Sequence, residues 1–308
     1  MKQTVVAVVG PTAVGKTSLS VEIAKRFNGE VISGDSMQIY KGMDIGTAKI
    51  TYKEQQGIIH HMLDILEPDQ PFSVADFQSH VRQAVTSISN KNRLPIIAGG
   101  TGLYIQSVLY DYNFTDKKRD DFYQNQIEKE IEQKGIEHVF KRLEQIDPYQ
   151  AKRIHPNNIR RVIRALEVYD RTGITMTELH EQQQQESIYQ PVLIGLEMNR
   201  ALLYERINQR VDLMLEHGLL EEVKALYDQG LEHAQSMKAI GYKELLPYIK
   251  GEQSLSECVE LLKRNSRRYA KRQYTWFKNK MDVDWYSITP ETKNQKFEII
   301  LQDLAGKL

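Results

Sequence analysis

A short glycine-containing segment near the start of the chain has the residue types and spacing of a phosphate-binding loop. The G-x-x-x-x-G-K-[ST] pattern between a strand and a helix lets backbone N–H groups, the helix N-terminus and a lysine surround phosphate oxygens. Here an apolar run over 5–9 precedes it and a helix-like segment over 18–27 follows it; its residues are Gly10, Pro11, Thr12, Ala13, Val14, Gly15, Lys16 and Thr17. The hydroxyl of Thr17 suits a Mg²⁺ ion that the same phosphates coordinate. We predict that this loop binds a di- or triphosphate; the alternative is an ordinary strand–turn–helix corner.

A carboxylate at the end of the next predicted strand is the candidate base. Asp35 ends the segment 29–35, and a polar loop with several glycines follows it over 36–47. Loops at the carboxyl ends of parallel strands form the sites of α/β proteins. The strand predicted over 94–98 ends in Gly-Gly-Thr-Gly, without the acid that ATPases and GTPases usually carry. Asp35 could therefore take a proton from a substrate hydroxyl in a kinase or from another nucleophile in a different transferase. The remaining alternative is a turn residue.

A basic helix in the C-terminal part of the chain indicates a polyanionic partner. Residues 263–280 contain eight Lys or Arg and no acid. Helical spacing places Arg264, Arg267, Arg268, Lys271 and Arg272 in one cationic stripe, with Val259, Leu262, Tyr269 and Trp276 on another side as packing residues. The aromatic residues Tyr274, Trp276 and Phe277 are predicted to stack on bases.

Three further arginines form a second acid-free cluster on another predicted helix. These are Arg160, Arg161 and Arg164. Either cluster alone is typical of a solvated helix face. Two such clusters in a chain that also carries a phosphate loop favour RNA over a small acceptor.

Two other arginines, Arg206 and Arg210, lie one helical turn apart on the helix that follows residue 199. An arginine that returns to a phosphate loop could neutralise charge on a leaving phosphate group. Surface helices carry many arginines, so the pair alone is weak evidence.

Composition limits the class of protein. The chain has 308 residues, with 41 Lys plus Arg and 41 Asp plus Glu, so any nucleic-acid site must come from local clustering of charge. The single cysteine, Cys258, excludes an internal disulfide or a multi-cysteine zinc site. Because no signal peptide or membrane span is recognisable, we expect a soluble, cytoplasmic protein, with a monomer as the default.

The order of predicted elements indicates a P-loop NTPase-like α/β fold. Strands and helices alternate up to about residue 113, which predicts a parallel sheet flanked by helices. Residues 114–190 are rich in charge and Gln and read as an all-helical insertion domain. A strand near 191–196 rejoins the sheet, so residues 1–113 and 191–308 form the core. We further expect a strand over 60–66, a helix over 175–185 with a solvated Gln run at 182–185, and a tail from Val283.

Together these residues resemble the tRNA dimethylallyltransferase family, also called tRNA isopentenylpyrophosphate transferases. The matching segments are spread in order over most of the chain: GPTAVGKT (10–17), SGDSMQIYKGMDIGTAK (33–49), PFSVADF (71–77), GGTGLYI (99–105), IHPNNIRRVIRALEV (154–168), the helix around Arg206, SMKAIGYKE (236–244) and RQYTWF (272–277). The phosphate loop is a generic motif, whereas DSMQIYKGMDIGTAK is highly specific. The family's usual Gln-Arg pair appears here as Arg160-Arg161. The zinc finger of eukaryotic relatives is absent, which fits a bacterial-type enzyme.

The resemblance implies a reaction without ATP consumption. A dimethylallyl group passes from dimethylallyl diphosphate to the exocyclic amino group of the adenine 3′ of the tRNA anticodon, and the enzyme binds Mg²⁺. Thr12, Lys16, Thr17 and Arg210 would neutralise the leaving diphosphate, and Asp35 would accept the amine proton. The adenine would leave its stack, and the residues that would contact it are Asp35, Ser36, Met37, Gln38 and Thr101. The tRNA backbone would be bound by Arg160, Arg161, Arg164, Lys238, Arg267, Arg268, Lys271 and Arg272.

Two other classes of function compete with this prediction. A P-loop kinase for a small molecule or nucleotide would turn over ATP but leaves the basic helix without a role. A non-enzymatic RNA-binding protein with a vestigial loop would keep its RNA affinity after Lys16→Ala.

Overall fold

The chain divides into two compact units, Met1–Tyr110 with Ser187–Leu308, and Asp111–Glu186. A computed structural model describes residues 2–110, 112, 120–182 and 186–308. The predicted boundary between 113 and 114 lies outside the described residues. The other predicted boundary, between 190 and 191, falls inside the strand Gln190–Glu197.

The first unit is built on a parallel sheet, as the alternation of elements predicts. Within the described residues its six strands follow the spatial order β3-β2-β4-β1-β5-β6, and every pairing is parallel. This places β1, which leads into the phosphate loop, in the interior of the sheet. The strands are β1 (Thr4–Val9), β2 (Gly29–Ser33), β3 (His60–His61), β4 (Leu94–Ala98), β5 (Gln190–Glu197) and β6 (Asp284–Ser287).

Helices cover the sheet and make up the second unit. No helix in the described part of the chain combines the length and hydropathy that a membrane crossing requires. The helices are α1 (Lys16–Arg26), α2 (Tyr52–Gln55), α3 (Val74–Asn90), α4 (Gly102–Leu109), α5 (Asp121–Lys134), α6 (Ile136–Ile146), α7 (Pro148–Ala151), α8 (Ile159–Thr172), α9 (Met176–Glu181), α10 (Arg200–Glu216), α11 (Leu219–Asp228), α12 (Tyr242–Ile249), α13 (Leu255–Lys280) and α14 (Lys293–Ala305).

Both faces of the sheet are buried, which explains the uninterrupted apolar sequence of β1. One face packs in a cluster that includes Phe77 of α3 and Phe277 of α13. The other face packs against Leu19 of α1 and Phe297 of α14. The phosphate loop therefore follows a strand that is packed on both faces.

A buried acid at the opposite end of the sheet is neutralised by three basic side chains. Glu30 in β2 is 0% exposed. It contacts His61 Nε2 at 2.6 Å, Arg93 Nη1 at 2.7 Å and Lys91 Nζ at 3.3 Å. Burial alone would raise the pKa of Glu30, but hydrogen bonds from His61, Arg93 and Lys91 lower it below its usual 4.5. This cluster stabilises the sheet far from the phosphate loop.

Three predicted elements differ from the structure. The strand over 60–66 has only two residues, because Met62 and Asp64 adopt positive φ and break it. The helix over 175–185 ends at Glu181, and residues 183–185 of the predicted Gln run lie outside the described residues. The prediction of a tail from Val283 was wrong, since β6 pairs with β5 and α14 packs against α1.

The regular elements of the second unit, within its described residues, are helices. Helices α5 to α9 enclose a core that includes Leu143, Val162 and Leu166. The buried acid Glu167 accepts the amide of Asp120 at 2.8 Å, and Asp147 accepts the amide and hydroxyl of Thr177. This unit therefore has its own core and its own buried polar contacts.

Candidate active site

The predicted phosphate loop connects β1 to α1 and is fixed by contacts to its backbone. Gly10 has φ 138°, and a Cβ atom there would overlap the carbonyl oxygen of Leu196 in β5. The Nζ atom of Lys16, the first residue of α1, donates to the carbonyl oxygen of Pro11 at 2.7 Å. The loop thus presents amides and an ammonium group at a helix N-terminus, the arrangement that binds anions.

An arginine from α10 supports the loop from outside. The Nε atom of Arg206 donates to the carbonyl oxygen of Ala13 at 3.2 Å. Its neighbour one turn on, Arg210, instead lies close to Lys16 and Asp35. The structure therefore separates the two arginines: Arg206 contacts the loop backbone and Arg210 joins the charged groups.

Lys16, Asp35 and Arg210 form a charged cluster beside the loop. Burial and the nearby Arg210 lower the pKa of Lys16 to about 7, with Asp35 acting in the opposite direction. Burial also lowers the pKa of Arg210. Burial raises the pKa of Asp35, against the effects of the Met37 amide and the two cations. A multiply charged anion bound here would restore the charged forms of Lys16 and Arg210.

Two cavities meet at this charged cluster. The larger has a volume of about 910 Å³ and is lined by residues 12–17 of the loop, whereas Gly10 and Pro11 are buried. The smaller, of about 320 Å³, has an apolar wall that includes Ile207, Val211 and Leu262. The residues that line both cavities are Thr12, Asp35, Thr47, Arg210, Met214 and Tyr269.

Asp35 follows β2 and is held at the junction of the cavities. Its Oδ1 atom accepts the amide of Met37 at 2.8 Å, and its own amide lies 3.4 Å from Ser33 Oγ. Ser36 and Met37 line the smaller cavity next to it. The carboxylate therefore lies where a group in the smaller cavity could approach the phosphate loop.

Gln38, predicted to read a base, is occupied by its own loop. Its Oε1 atom accepts the Ser33 hydroxyl at 2.8 Å. Its Nε2 atom donates to the carbonyl oxygens of Thr47 at 3.1 Å and Ala48 at 3.4 Å. The carboxamide closes the loop over 38–48, which leaves it little capacity to hydrogen-bond a base.

Helix α13 contributes two side chains that the sequence analysis did not place in the site. Gln273 is 5% exposed, and its Oε1 atom accepts the Thr12 amide at 2.8 Å. Tyr269, expected only to pack, lines both cavities, and burial raises its pKa to about 12. Thr101 lies next to Tyr269, but its hydroxyl oxygen is buried, and neither cavity has Thr101 in its described lining.

The three aromatic residues expected to stack on bases are used by the fold. Phe277 is fully buried in the core. Trp276 packs so closely on Gly102 that a Cβ atom there would overlap the indole. The hydroxyl of Tyr274 donates to Glu197 at 2.5 Å. The alternation of aromatic and basic residues on α13 reflects packing, and the prediction of base stacking was wrong for Phe277 because it has no exposed surface.

The predicted tRNA-binding cations of the first unit differ in availability. Arg268 and Lys271 on α13 are exposed, whereas Arg267 donates to Asn208 Oδ1 at 2.6 Å. Arg272 lies over the ring of Tyr269 and lines the smaller cavity, as does the exposed Lys238.

In the second unit the predicted arginine cluster lies on α8. Arg160 and Arg161 are exposed. Arg164 contacts the buried Glu167 at 2.8 Å. A phosphate that binds Arg164 would therefore have to share it with this acid.

Comparisons with known proteins identify the family of this chain. Residues 38–280 match the IPP transferase family. This chain belongs to that family. A tRNA dimethylallyltransferase of Oceanobacillus iheyensis is 57% identical over 308 residues, which are 100% of this chain and 98% of the relative. The resemblance noted in the sequence is confirmed, and a transferase is favoured over the kinase alternative.

Two solved structures are similar to this chain over its length. The tRNA isopentenylpyrophosphate transferase of Bacillus halodurans is 49% identical with a TM-score of 0.75, and the match covers 100% of this chain and 97% of that one. A eukaryotic dimethylallyltransferase acting on tRNA is 30% identical with a TM-score of 0.84, and the match covers 99% of this chain and 80% of that one.

The site of this IPP transferase also depends on polar residues that no motif indicates. Gln273 lies on the buried side of α13, one turn after Tyr269. A polar residue at a position where the helix is otherwise apolar is the sequence signal that could have identified it. Glu222 of α11 is hydrogen-bonded to three backbone amides over 44–46. Acids in the first turn of a helix, here Glu221 and Glu222, are too common to identify such a role from sequence.

Proposed function

We propose that this protein transfers a dimethylallyl group from dimethylallyl diphosphate to the exocyclic amino group of the adenine 3′ of the anticodon in tRNA. The observation that carries the proposal is that Thr12, Asp35 and Arg210 line both cavities. A diphosphate in the larger cavity and a base in the smaller one would meet at these residues. The names of the relatives supply the two substrates.

The larger cavity has the groups that a leaving diphosphate needs. As the C–O bond of the donor breaks, negative charge grows on the departing oxygen. Amides of 12–17, the ammonium of Lys16 and the guanidinium of Arg210 are available to stabilise it. All of these line the cavity.

A Mg²⁺ ion fits the donor set at the loop. The exposed Thr17 offers a hydroxyl oxygen to the same cavity. No group of three or more His, Cys, Asp or Glu that could hold a metal ion exists among the described residues. A single hydroxyl next to bound phosphates suits Mg²⁺, because this ion keeps several waters and binds through one or two protein oxygens plus phosphates. The ion would add positive charge next to the diphosphate.

Asp35 is the group that would take the proton. The exocyclic amine attacks the allylic carbon, a C–N bond forms, diphosphate leaves, and the proton from nitrogen passes to Asp35. Because burial raises the pKa of Asp35, the carboxylate is a better proton acceptor than an exposed one.

The tRNA would bind through exposed cations, among them Arg268 and Lys271 of α13 and Arg160 and Arg161 of α8. The target base must leave its stack, which is cheap for an unpaired loop base. We include in this proposal that the protein is cytoplasmic, because its substrate tRNA is found in the cytoplasm. We also include that it is a monomer, because one chain carries both cavities. Light scattering of the purified protein tests the monomer.

Transfer of label tests the function directly. Purified protein is incubated with Mg²⁺, unmodified tRNA and dimethylallyl diphosphate labelled in the allyl group, without ATP. We expect label in tRNA, and nucleoside mass spectrometry should find dimethylallyladenosine. A parallel incubation with γ-labelled ATP tests the kinase alternative. Labelled product only in the ATP reaction would refute the prenyl-transfer proposal.

A further inference from the structure

A carboxylate from α11 binds the backbone of the loop that follows Asp35. Glu222 Oε2 accepts the amide of Asp44 at 2.9 Å and that of Ile45 at 2.8 Å, and its Oε1 accepts the amide of Gly46 at 3.0 Å. Three successive N–H groups that converge on one anion form a backbone nest. Here the anion is a side chain of the protein itself.

A buried tyrosine completes this contact. The hydroxyl of Tyr242, at the start of α12, donates to Glu222 Oε1 at 2.5 Å. Tyr242 is 0% exposed, and its ring lies so close to Gly46 that any Cβ atom there would overlap it. Burial and Glu222 raise the pKa of Tyr242, so the hydroxyl stays a donor.

A lysine also contacts the same loop. Lys49 has a side chain that is 5% exposed, and its Nζ atom contacts Asp44 and Asp64, each at 2.5 Å. It also donates to the carbonyl oxygen of Tyr40 at 2.8 Å. Two charged side chains, Glu222 and Lys49, therefore bind the loop, and charge-assisted hydrogen bonds are stronger than neutral ones.

The bound loop forms part of the wall of the smaller cavity. Gly46, Thr47 and Gly241 line it, and Gly241 immediately precedes Tyr242. Asp44, Ile45 and Thr47 also line the larger cavity, whereas Gly46 is in the described lining of the smaller one only. Glu222 and Tyr242 are not in the described lining of either cavity. They can act on a ligand only through the position that they give to this wall.

We propose that Glu222 and Tyr242 are positioning residues that hold the wall over 46–47 at the place where the smaller cavity admits a single unstacked adenine. The carboxylate of Glu222 is partly buried. It holds one loop conformation, because a partly desolvated charge is stable only when its donors are in place, and here four donors converge on it. This inference rests on the proposed function.

Two variants and one matched control test the proposal. Glu222→Gln keeps the shape but replaces one acceptor oxygen by a carboxamide NH2 group, which cannot accept from the N–H donors that face it. Tyr242→Phe removes only the hydroxyl. Glu221→Gln makes the same chemical change at the exposed neighbour of Glu222 on α11. Folding of each variant is checked by circular dichroism, and the two KM values and kcat are measured in the labelled transfer assay.

The expected result is a selective loss of tRNA recognition. In Glu222→Gln the KM for tRNA should rise roughly tenfold, the factor that corresponds to about 1.4 kcal/mol. The KM for dimethylallyl diphosphate should rise much less, because Gly46, the glycine that the Tyr242 ring contacts, lines only the smaller cavity. Tyr242→Phe should show a smaller shift in the same direction, and Glu221→Gln should match the unchanged protein. An equal rise of both KM values would assign a general structural role and overturn the proposal. So would an unchanged KM for tRNA in both variants. If the unsubstituted protein does not prenylate tRNA, the proposed function itself has failed.

Discussion

The binding of diphosphate should be linked to proton uptake by Lys16. Burial and Arg210 lower the pKa of this lysine to about 7 in the free protein. Diphosphate favours the ammonium form, so the pKa should return towards the ordinary value of about 10.4 in the complex. The free protein must then take up a proton on binding at any pH between these two values.

The size of the effect follows from the pKa. With a free pKa of about 7, the protonated fraction of Lys16 falls from about one half at pH 7 to about one hundredth at pH 9. The apparent affinity for diphosphate should therefore fall roughly 50-fold over this range, which corresponds to ~2.3 kcal/mol. At pH 8 about 0.9 protons should enter with each ligand.

Titration calorimetry measures both quantities. Dimethylallyl diphosphate is titrated at pH 7, 8 and 9 at a fixed free Mg²⁺ concentration, in pairs of buffers that differ in ionisation enthalpy. Lys16→Arg is the control, because a guanidinium stays protonated throughout this range. Its affinity should be flat with pH, whatever its absolute value. An affinity of the unsubstituted protein that is independent of pH, with no proton uptake, would refute the reasoning.

Three other predictions address the base, the tRNA surface and the sheet. Asp35→Asn should lower the rate of transfer by about 10²–10⁴-fold while tRNA binding, measured by filter retention, is kept. The double variant Arg268→Ala/Lys271→Ala should weaken tRNA binding and reduce the slope of log K against log salt concentration by about 2, with no change in diphosphate affinity. Glu30→Gln should lower the free energy of unfolding in urea by about 3–5 kcal/mol at pH 7. Since the pKa of Glu30 is lowered in the folded state, its stabilising contribution is present above pH 4.5 and is lost as pH falls through the folded value.

Each of these predictions has an outcome that contradicts it. A comparable loss of tRNA affinity in Asp35→Asn would mean that the carboxylate binds RNA rather than accepts a proton. If the salt dependence of tRNA binding is the same in Arg268→Ala/Lys271→Ala as in the unsubstituted protein, these two residues of α13 do not contact phosphates. Equal acid sensitivity of Glu30→Gln and the unsubstituted protein would show that other groups dominate unfolding at low pH.

Local patterns predicted the elements that carry their own signals. Ser73 and Asp76 have the three-residue spacing of a capping box. The structure shows the reciprocal contacts, with Ser73 Oγ accepting the Asp76 amide at 3.2 Å and Asp76 Oδ2 accepting the Ser73 amide at 2.9 Å. The alternation of strands and helices up to about residue 113 predicted the parallel sheet, because a helix that crosses over between two strands makes them parallel. These features depend only on neighbours in the chain.

The parts that sequence did not predict depend on residues that meet only after folding. Gln273 contacts Thr12 across a separation of 261 residues, and no spacing rule connects them. Phe277 was assigned to base stacking because its neighbours are basic, although its side of α13 faces the core. The short strand Asp284–Ser287 is half-exposed at the sheet edge and carries no strong apolar pattern, so it was interpreted as a tail.

The pairing of β1 has a consequence for how the protein is made. β1 lies between β4 and β5, and the amide of Thr12 donates to Gln273, which is synthesised 261 residues later. At about 5–20 residues per second, a ribosome needs roughly 13–50 seconds to travel that distance. For the part of that time before residues 190–197 are made, the first strand to emerge lacks its neighbour β5. Chains released by an early stop codon before residue 190 would expose that unpaired edge and depend on chaperones or proteases for their removal.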